Sequence, residues 1–427
     1  MSHAHRTATS VAASPTGSPA PQADCDVALV GGGVIGLTAA LALSRCGYRV
    51  QLLERGNWPA LPPQSDASDI WDSRVLALSP ASLGLLDALG VLAQLDSARC
   101  APVYAMQISG DDALSQLGLS AYESGVAELC RIVENNQLRA ALLRCLHQAP
   151  GVRLVEGAEL VALEMVDGLP NLILADGQRC AARLVLAADG AQSRLRELAG
   201  ISVHRRPYQQ VAVVANFRLA SAHPHRDCAR QWFLGDSILA WLPLPGPRMA
   251  MVWSTTPAHA QALLAMDAPQ LCAAVAQAGG LASDSLQLLT LASAHALQFQ
   301  SAVSMTGPRL LLLGDAAHVV HPLAGQGANL GFGDVAALYQ TLCSQASVAT
   351  CASTAAALPD PGARHVLRRV ERARAEDVLR MKWLTEGLMA LFASDRPVVR
   401  GLRNAGLRFC NALPFLKTLL VREAAQH

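Results

Sequence analysis

Two glycine-rich segments constrain this chain more than anything else in it. The first, DVALVGGGVIGLTAALALSRCGYRVQLLER, occupies residues 26–55, and the second, LLLLGDAAHVVHPLAGQGANLGFGDVAAL, occupies residues 310–338. In the first, Val27 to Val30 is a short apolar run of strand character, and Gly31, Gly33 and Gly36 give the spacing GxGxxG. Gly31 permits a tight turn, Gly33 lets backbone approach a pyrophosphate, and Gly36 allows close helix–strand packing. Leu37 to Cys46 reads as the helix, whose N-terminal N–H groups favour an anion, and Gly47 ends it. Arg49 to Leu53 reads as a second strand, with Glu54 at its end to accept hydrogen bonds from a ribose diol.

The second segment carries a matching logic. Leu310 to Leu313 reads as a buried strand, Gly314 allows close approach, and Asp315 can accept from ribityl hydroxyls. Gly325 and Gly327 expose N–H groups at the start of a helix near Ala328, where partial positive charge stabilises an anionic ring edge. A third stretch, AADGAQSRLR at 187–196, ends another buried strand (Leu184 to Ala188) in Asp189-Gly190. A chain that leaves one dinucleotide and returns to it fits enzymes that hold FAD across a two-part site.

Composition bounds the rest. At 427 residues, two domains are expected. A net charge of +1 gives no argument for nucleic acid. Apolar residues make up 52%, and mean hydropathy is +0.27. Alanine supplies much of that excess, and no uncharged apolar run reaches the roughly 18–20 residues of a membrane span. Eleven scattered cysteines without CxxC spacing suggest reduced cytosolic thiols, with no disulfide framework or metal site. Residues 1–23, rich in Ser, Thr, Ala and Pro, read as a disordered tail and not a signal peptide.

Ser79 to Leu89 and Glu134 to His147 read as helices. Val152 to Val166 and Asn171 to Leu174 read as a hairpin about Asp167-Gly168. Short β runs at Gln209–Leu219, Arg230–Leu234, Ile238–Leu244 and Arg248–Ser254 read as an antiparallel sheet. Residues 344–363 look like a loop or linker, Arg364 to Ala393 like one long helix, and a shorter helix is expected after Pro397. The expected fold class is α/β (α+β, two-domain). A Rossmann-like domain spans 24–203, with a substrate-side excursion near 100–127, and resumes over 297–363. The inserted antiparallel substrate domain is expected over 204–296, and C-terminal helices over 364–427.

The chain resembles the p-hydroxybenzoate-hydroxylase-type flavin monooxygenases, and within them the ubiquinone-biosynthesis hydroxylases. The resemblance runs from about residue 24 to 425. It rests on GGGVIG, on Asp72-Ser73-Arg74, and on IVENNQL. It continues through AADGAQSRLR, GDAAHVVHPLAGQGANLGF and the tail RVERARAEDVLRM…LFASDRPVVRGLRNAGL. It implies that Gly31, Gly33, Gly36, Glu54, Arg55, Arg74, Gln137 and Val161 line non-covalent FAD. The same holds for Asp189, Gly314, Asp315, Pro322, Gly325, Gln326, Gly327, Ala328 and Asn329. The implied chemistry is reduction of FAD by NAD(P)H, reaction with O2 at flavin C4a, and transfer of an OH group to an electron-rich ring. The implied substrate is a hydrophobic prenylated phenol. Another aromatic or lipid, or a non-catalytic flavoprotein role in a quinone-biosynthesis complex, stays open.

No acid/base constellation with convincing spacing appears. His318 and His321 beside the GD motif are weak candidates to tune protonation. So is His295, which stands in His295-Ala296-Leu297 where relatives often have Phe-Pro-Leu. Glu376-Asp377-Val378 likewise departs from EDN. Six basic residues from Arg396 to Arg422, interleaved with Val398, Leu402, Ala405, Phe409 and Leu413, suggest either a packed helix with a solvated basic face or contact with a membrane or partner protein. The expected location is cytoplasmic, with the inner face of the cytoplasmic membrane as a possible site of attachment.

Overall fold

The computed structural model describes residues 23–58, 70–110, 112, 115–220, 225–282, 284–322, 325–352 and 358–392, and beyond these 401, 404, 406, 408–411 and 413–426. The expected N-terminal tail, but for residue 23, lies outside them, as does the start of the helix expected after Pro397.

The chain opens with β1 (Cys25–Val30), α1 (Val34–Arg45) and β2 (Val50–Leu53). It continues through β3 (Val75–Leu78), α2 (Pro80–Ala88), β4 (Cys100–Val103), β5 (Ala105–Ser109), β6 (Gln116–Ser120), α3 (Ala121–Ser124), β7 (Cys130–Glu134) and α4 (Asn135–His147). Next come β8 (Val152–Val155), β9 (Leu160–Val166), β10 (Leu169–Leu174), β11 (Arg179–Ala187) and α5 (Arg194–Leu198). The second lobe supplies β12 (Val203–Leu219), β13 (Cys228–Leu234), β14 (Ser237–Leu244), β15 (Arg248–Thr255), α6 (Pro257–Ala265), α7 (Ala268–Ala278), β16 (Leu286–Leu288) and β17 (Ser293–Ala302). The return is made by β18 (Thr306–Gly307), β19 (Leu310–Leu312), β20 (His318–Val319), α8 (Gln326–Ala352) and α9 (Arg364–Phe392), and a helix over Pro414–Gln426 follows.

β19, β11, β1, β2 and β8 lie side by side and parallel. Such strands are covered on both faces, so they read as unbroken apolar runs: Val27, Ala28 and Leu29 are 0% exposed, as are Leu311 and Leu312. β9 and β10 hang from β11 as an antiparallel hairpin. Its turn is Asp167 (φ 49°) and Gly168 (φ 78°), the paired positive φ that a two-residue hairpin loop demands. Val152–Val155, expected to belong to that hairpin, is instead the edge strand β8 of the parallel sheet.

The second sheet runs β20-β17-β12-β15-β14-β13-β5-β6, with β16 on β12. β5 and β6 bring the segment near 100–127 onto this sheet. β17 crosses the boundary expected at 296 without a break. α6 and α7 cover one face, where Phe217, Leu239, Met251, Leu271 and Val275 form the core. A small sheet, β3-β7-β4, lies between the two lobes.

Of the loop expected over 344–363, residues 344–352 are helical instead, residues 353–357 lie outside the described residues, and 358–363 are irregular as expected. α8 continues through Ala352, because a run of Ala, Ser, Gln and Val without Pro or Gly does not end a helix. α9 matches the expected long helix. Near the C-terminus, Arg408 pairs with Asp112 and Lys417 with Glu123, so two of the six basic residues are spent on internal contacts.

Candidate active site

The three glycine-rich or Asp-Gly turns all leave the parallel sheet at the same edge. β1 ends at Val30 and gives Gly31, β2 ends at Leu53 and gives Glu54, β11 leads to Asp189, and β19 leads to Gly314-Asp315. Backbone bonds hold them level: Gly31 N–H to Leu53 O at 2.8 Å, Ala188 N–H to Val30 O at 2.8 Å, and Leu313 N–H to Ala187 O at 2.8 Å. The carboxyl ends of parallel strands are where open α/β sheets bind ligands.

Each glycine of the fingerprint has a separate duty. At Gly31 (φ +108°) a Cβ would meet Ala188 O at 2.3 Å, and at Gly36 it would meet Gly31 O at 1.9 Å. These two are packing glycines. At Gly33, φ is −72° and a Cβ would meet no atom within 4 Å. Neither conformation nor packing demands glycine there, whereas a pyrophosphate lying on the backbone would. Gly327, at the N-terminus of α8, is likewise open. Gly325 (φ +67°) is a turn residue, its N–H donating to Pro322 O at 3.1 Å. Asp189 accepts from Leu195 N–H at 3.1 Å through one oxygen, while its buried Oδ1 has no partner among the described residues. Gln326 Oε1 is buried and unpartnered as well. Open backbone at two glycines and orphaned acceptors at the same edge fit a bound dinucleotide.

Glu54 accepts from Gly32 N–H and, at 2.9 Å, from Gly56 N–H. Each carboxylate oxygen keeps a lone pair for a hydroxyl donor. Trp58 packs against Gly32 beside it. Asp315 is exposed. Crowding by surrounding protein raises its carboxyl above the usual range, while His318 and Arg74 pull it back. Arg55 and Arg74 are exposed, and Gln137 is half-buried in the first turn of α4. Val161 projects from β9 at 41% exposure. The Asn329 side chain bonds within the protein: Oδ1 accepts from Ser79 N–H (3.0 Å) and Ser82 O–H (2.8 Å), and Nδ2 donates to Ala77 O (2.9 Å). It pins α8 to the start of α2.

Residues that the motifs do not announce hold the GD turn. Asp334 is 0% exposed and accepts from Gly314 N–H (2.9 Å), His318 Nε2 (2.8 Å) and Arg374 Nε (2.9 Å). Arg374 also pairs with Asp377. Burial alone would raise Asp334, but His318, Arg374 and the Gly314 N–H together hold it below the usual carboxylate range. Burial opposes charge on His318 too, yet Asp334 lifts it above the usual imidazole value. Gln300 on β17 donates to Ala191 O (3.0 Å) and Asp315 O (3.3 Å), and Arg196 donates to Ala316 O (2.9 Å) and Ala191 O (3.1 Å). The Asp189 turn and the GD turn are thereby tied together. One signal was present in the sequence: glycines flank the approach to Asp334, Gly331 three residues before it and Gly333 next to it, and in the structure a Cβ at Gly333 would strike the Arg374 guanidinium at 2.7 Å. Pairing them with a helix forty residues on needs the tertiary structure.

The three histidines separate. His318 belongs to the Asp334 brace. His321 is 1% exposed and bonds Gln210 Oε1 at 3.0 Å. His295 is exposed on β17, opposite Ala212, and its polar contact is with Ser293 at 3.5 Å.

The chain matches the model of the FAD binding domain over residues 24–350. It is 33% identical over 404 residues to the 3-demethoxyubiquinol 3-hydroxylase of Escherichia coli (strain K12), covering 93% of this chain and 98% of that protein. It is 33% identical over 415 residues to the ubiquinone hydroxylase UbiL of Rhodospirillum rubrum, covering 96% and 92%. Among solved structures, PqsL of P. aeruginosa in complex with 2-aminobenzoylacetate superposes with a TM-score of 0.71 at 23% identity, covering 90% of this chain and 99% of that one.

Proposed function

The chain belongs to the FAD-dependent monooxygenase family that includes the ubiquinone-biosynthesis hydroxylases, and on that premise we propose that it hydroxylates the aromatic ring of a prenylated phenol in ubiquinone biosynthesis. The observation that carries the reading is the convergence of Gly31–Gly33, Glu54, Asp189 and Asp315 at one edge of the parallel sheet, with the second sheet alongside.

Bound FAD, with NAD(P)H as electron donor and O2 as co-substrate, supplies the redox chemistry. The chain's residues do the rest. Gly33 and the α1 N-terminus receive the pyrophosphate, Glu54 the ribose, Asp315 the ribityl hydroxyls, and Gly325 to Ala328 the polar ring edge. Asp334, Gln300 and Arg196 hold the turns that meet the cofactor in place. The β12–β17 sheet forms the substrate wall.

An apolar substrate tail favours work beside a lipid surface or with other quinone-biosynthesis proteins. Among the described residues no helix is long and apolar enough to cross a membrane. Phe409, Phe415, Leu419 and Leu420 are exposed near the C-terminus and give a peripheral contact surface. Flotation with anionic-lipid vesicles tests that contact. The central test is a deletion strain: it should accumulate an under-hydroxylated prenylphenol, whose mass spectrum identifies the unmodified ring carbon. An unchanged quinone profile sinks the reading.

A further inference from the structure

His321 sits where the loop after the GD turn meets the bulged part of β12. We propose that His321 receives a ring hydroxyl of the substrate, its Nδ1 accepting the hydroxyl's hydrogen bond while Gln210 holds the imidazole in the required tautomer. The inference rests on the ring-hydroxylase reading above.

The tautomer follows from a chain of bonds. Gln210 Nε2 donates to Asp236 O at 2.9 Å, which fixes the orientation of the amide. Its Oε1 therefore faces His321 Nε2, 3.0 Å away, and an amide oxygen can only accept. Nε2 must carry the proton, so Nδ1 is a bare acceptor. That nitrogen is buried, with no hydrogen-bond partner among the described residues. Burial pushes the imidazole down to about 4, so it stays neutral near pH 7 and Nδ1 remains an acceptor. Buried acceptors without a donor are uncommon and costly.

The ring's neighbours belong to β12 of the second sheet, the proposed substrate wall. Tyr208 of β12 packs edge-on against the ring, with centroids 5.0 Å apart and planes at 82°. The Tyr208 hydroxyl donates to Glu386 Oε1 at 3.1 Å, and Arg206 pairs with Glu386. Tyr208 and Gln210 flank Gln209, whose φ of 55° is unusual for a residue other than glycine, at the point where the β12–β17 register shifts. Bulges of this kind re-aim side chains beside active sites. The ring is closed to solvent in this structure, so its surroundings must move aside before a hydroxyl can reach Nδ1. An imidazole this weakly basic orients a phenol without deprotonating it. The site therefore favours a neutral ring hydroxyl over a phenolate, a carboxylate or an ether.

The test titrates the flavin absorbance of the FAD-loaded protein with a short-chain prenylphenol and with its methyl ether. His321→Phe should raise the phenol Kd about five- to tenfold, the scale of one hydrogen bond, and leave the ether Kd and FAD content unchanged. His321→Gln can still donate to Gln210 but places no acceptor at the Nδ1 position, so it should show the same selective loss with less disturbance of packing. Gln210→Glu favours the imidazolium, whose Nδ1 becomes a donor, and should shift preference toward the ether. Equal changes in both Kd values, loss of FAD from the His321→Gln protein, or an unaltered preference in Gln210→Glu overturns the proposal. A wild-type protein that binds neither ring compound overturns the ring-hydroxylase reading first, and this one with it.

Discussion

The cofactor edge and the substrate sheet are built by different means. At the edge, single residues at short spacing decide the backbone: Gly31, Gly36, Gly314 and Gly325 each answer a local demand of turn or close approach. In the substrate sheet, β12 pairs with β15 over eight consecutive positions and with β17 over ten, and no one pair decides the outcome. A dinucleotide presents the same phosphates and riboses to every chain that binds it, so its site compresses into a motif. A substrate wall is assembled from residues distant in sequence, and its specificity has no spacing to read.

The sharpest way to break that comparison is at the fingerprint itself. Gly36→Val should abolish folding, because a Cβ would overlap Gly31 O and backbone cannot retreat without moving β1. Gly33→Val should fold normally, since φ there suits any residue and the space is open. It should nonetheless fail to bind FAD, because the side chain fills the place of the pyrophosphate. Thermal melts of the apo proteins beside flavin absorbance separate the two. A Gly33→Val protein with full flavin content would make that glycine a mere turn residue.

Next in size is Asp334→Ala. It leaves Arg374 with Asp377 as its remaining carboxylate partner, removes the charge that keeps His318 protonated and frees the Gly314 N–H, so a loss of about 3–5 kcal/mol is expected. The pH dependence has a defined sign. His318 is raised in the folded state, so its contribution is complete below the ordinary imidazole value of about 6.5 and fades as pH rises past its folded value. Asp334 is lowered, so its contribution is complete above about 3.9 and fades as pH falls. Stability should therefore decline on the alkaline side, and His318→Gln should flatten that decline. A wild-type melting temperature that rises from pH 6 to pH 9 would count against a charged brace.

A smaller effect is expected at the GD turn itself. Asp315→Ala should weaken FAD by roughly 1.5–3 kcal/mol, the scale of hydrogen bonds to a charged group. Its exposure means that apo stability should hardly change. A flavin titration showing less than a twofold change in Kd would remove Asp315 from the site.

These predictions mark what the sequence makes legible. The parallel strands, α1, the hairpin turn at Asp167-Gly168 and the runs of the second sheet follow from periodicity and turn chemistry. The α8 extension to Ala352 did not, because a run of small polar residues reads as a linker although it holds no Pro or Gly to end a helix. Asn329 stands within a motif and its side chain serves the fold, Asp334 stands in the same glycine-rich segment without a ligand role to announce it, and Gln300, outside any motif, ties the turns together. A motif records which residues recur near a ligand, not which side of the backbone each side chain takes.

The least change is expected at His295, where the comparison is most exposed to failure. A departure from Phe-Pro-Leu suggested a polar wall beside the ring substrate. In the structure the imidazole lies on the exposed side of β17 and touches Ser293, and Ala296 pairs with Val211 in the ladder. A proline at 296 removes an N–H that the ladder can use, whereas a phenylalanine at 295 only adds exposed apolar surface. His295→Phe alone should therefore leave stability within about 0.5 kcal/mol and FAD affinity unchanged. Adding Ala296→Pro should lower stability modestly through the β12–β17 pairing, with the regiochemistry of hydroxylation preserved. The measurement is product identity and hydrogen peroxide yield per nicotinamide oxidised. If His295→Phe alone changes either one, a single exposed position does write substrate choice into the sheet, and the contrast between a motif-encoded edge and a diffusely encoded wall fails at that strand.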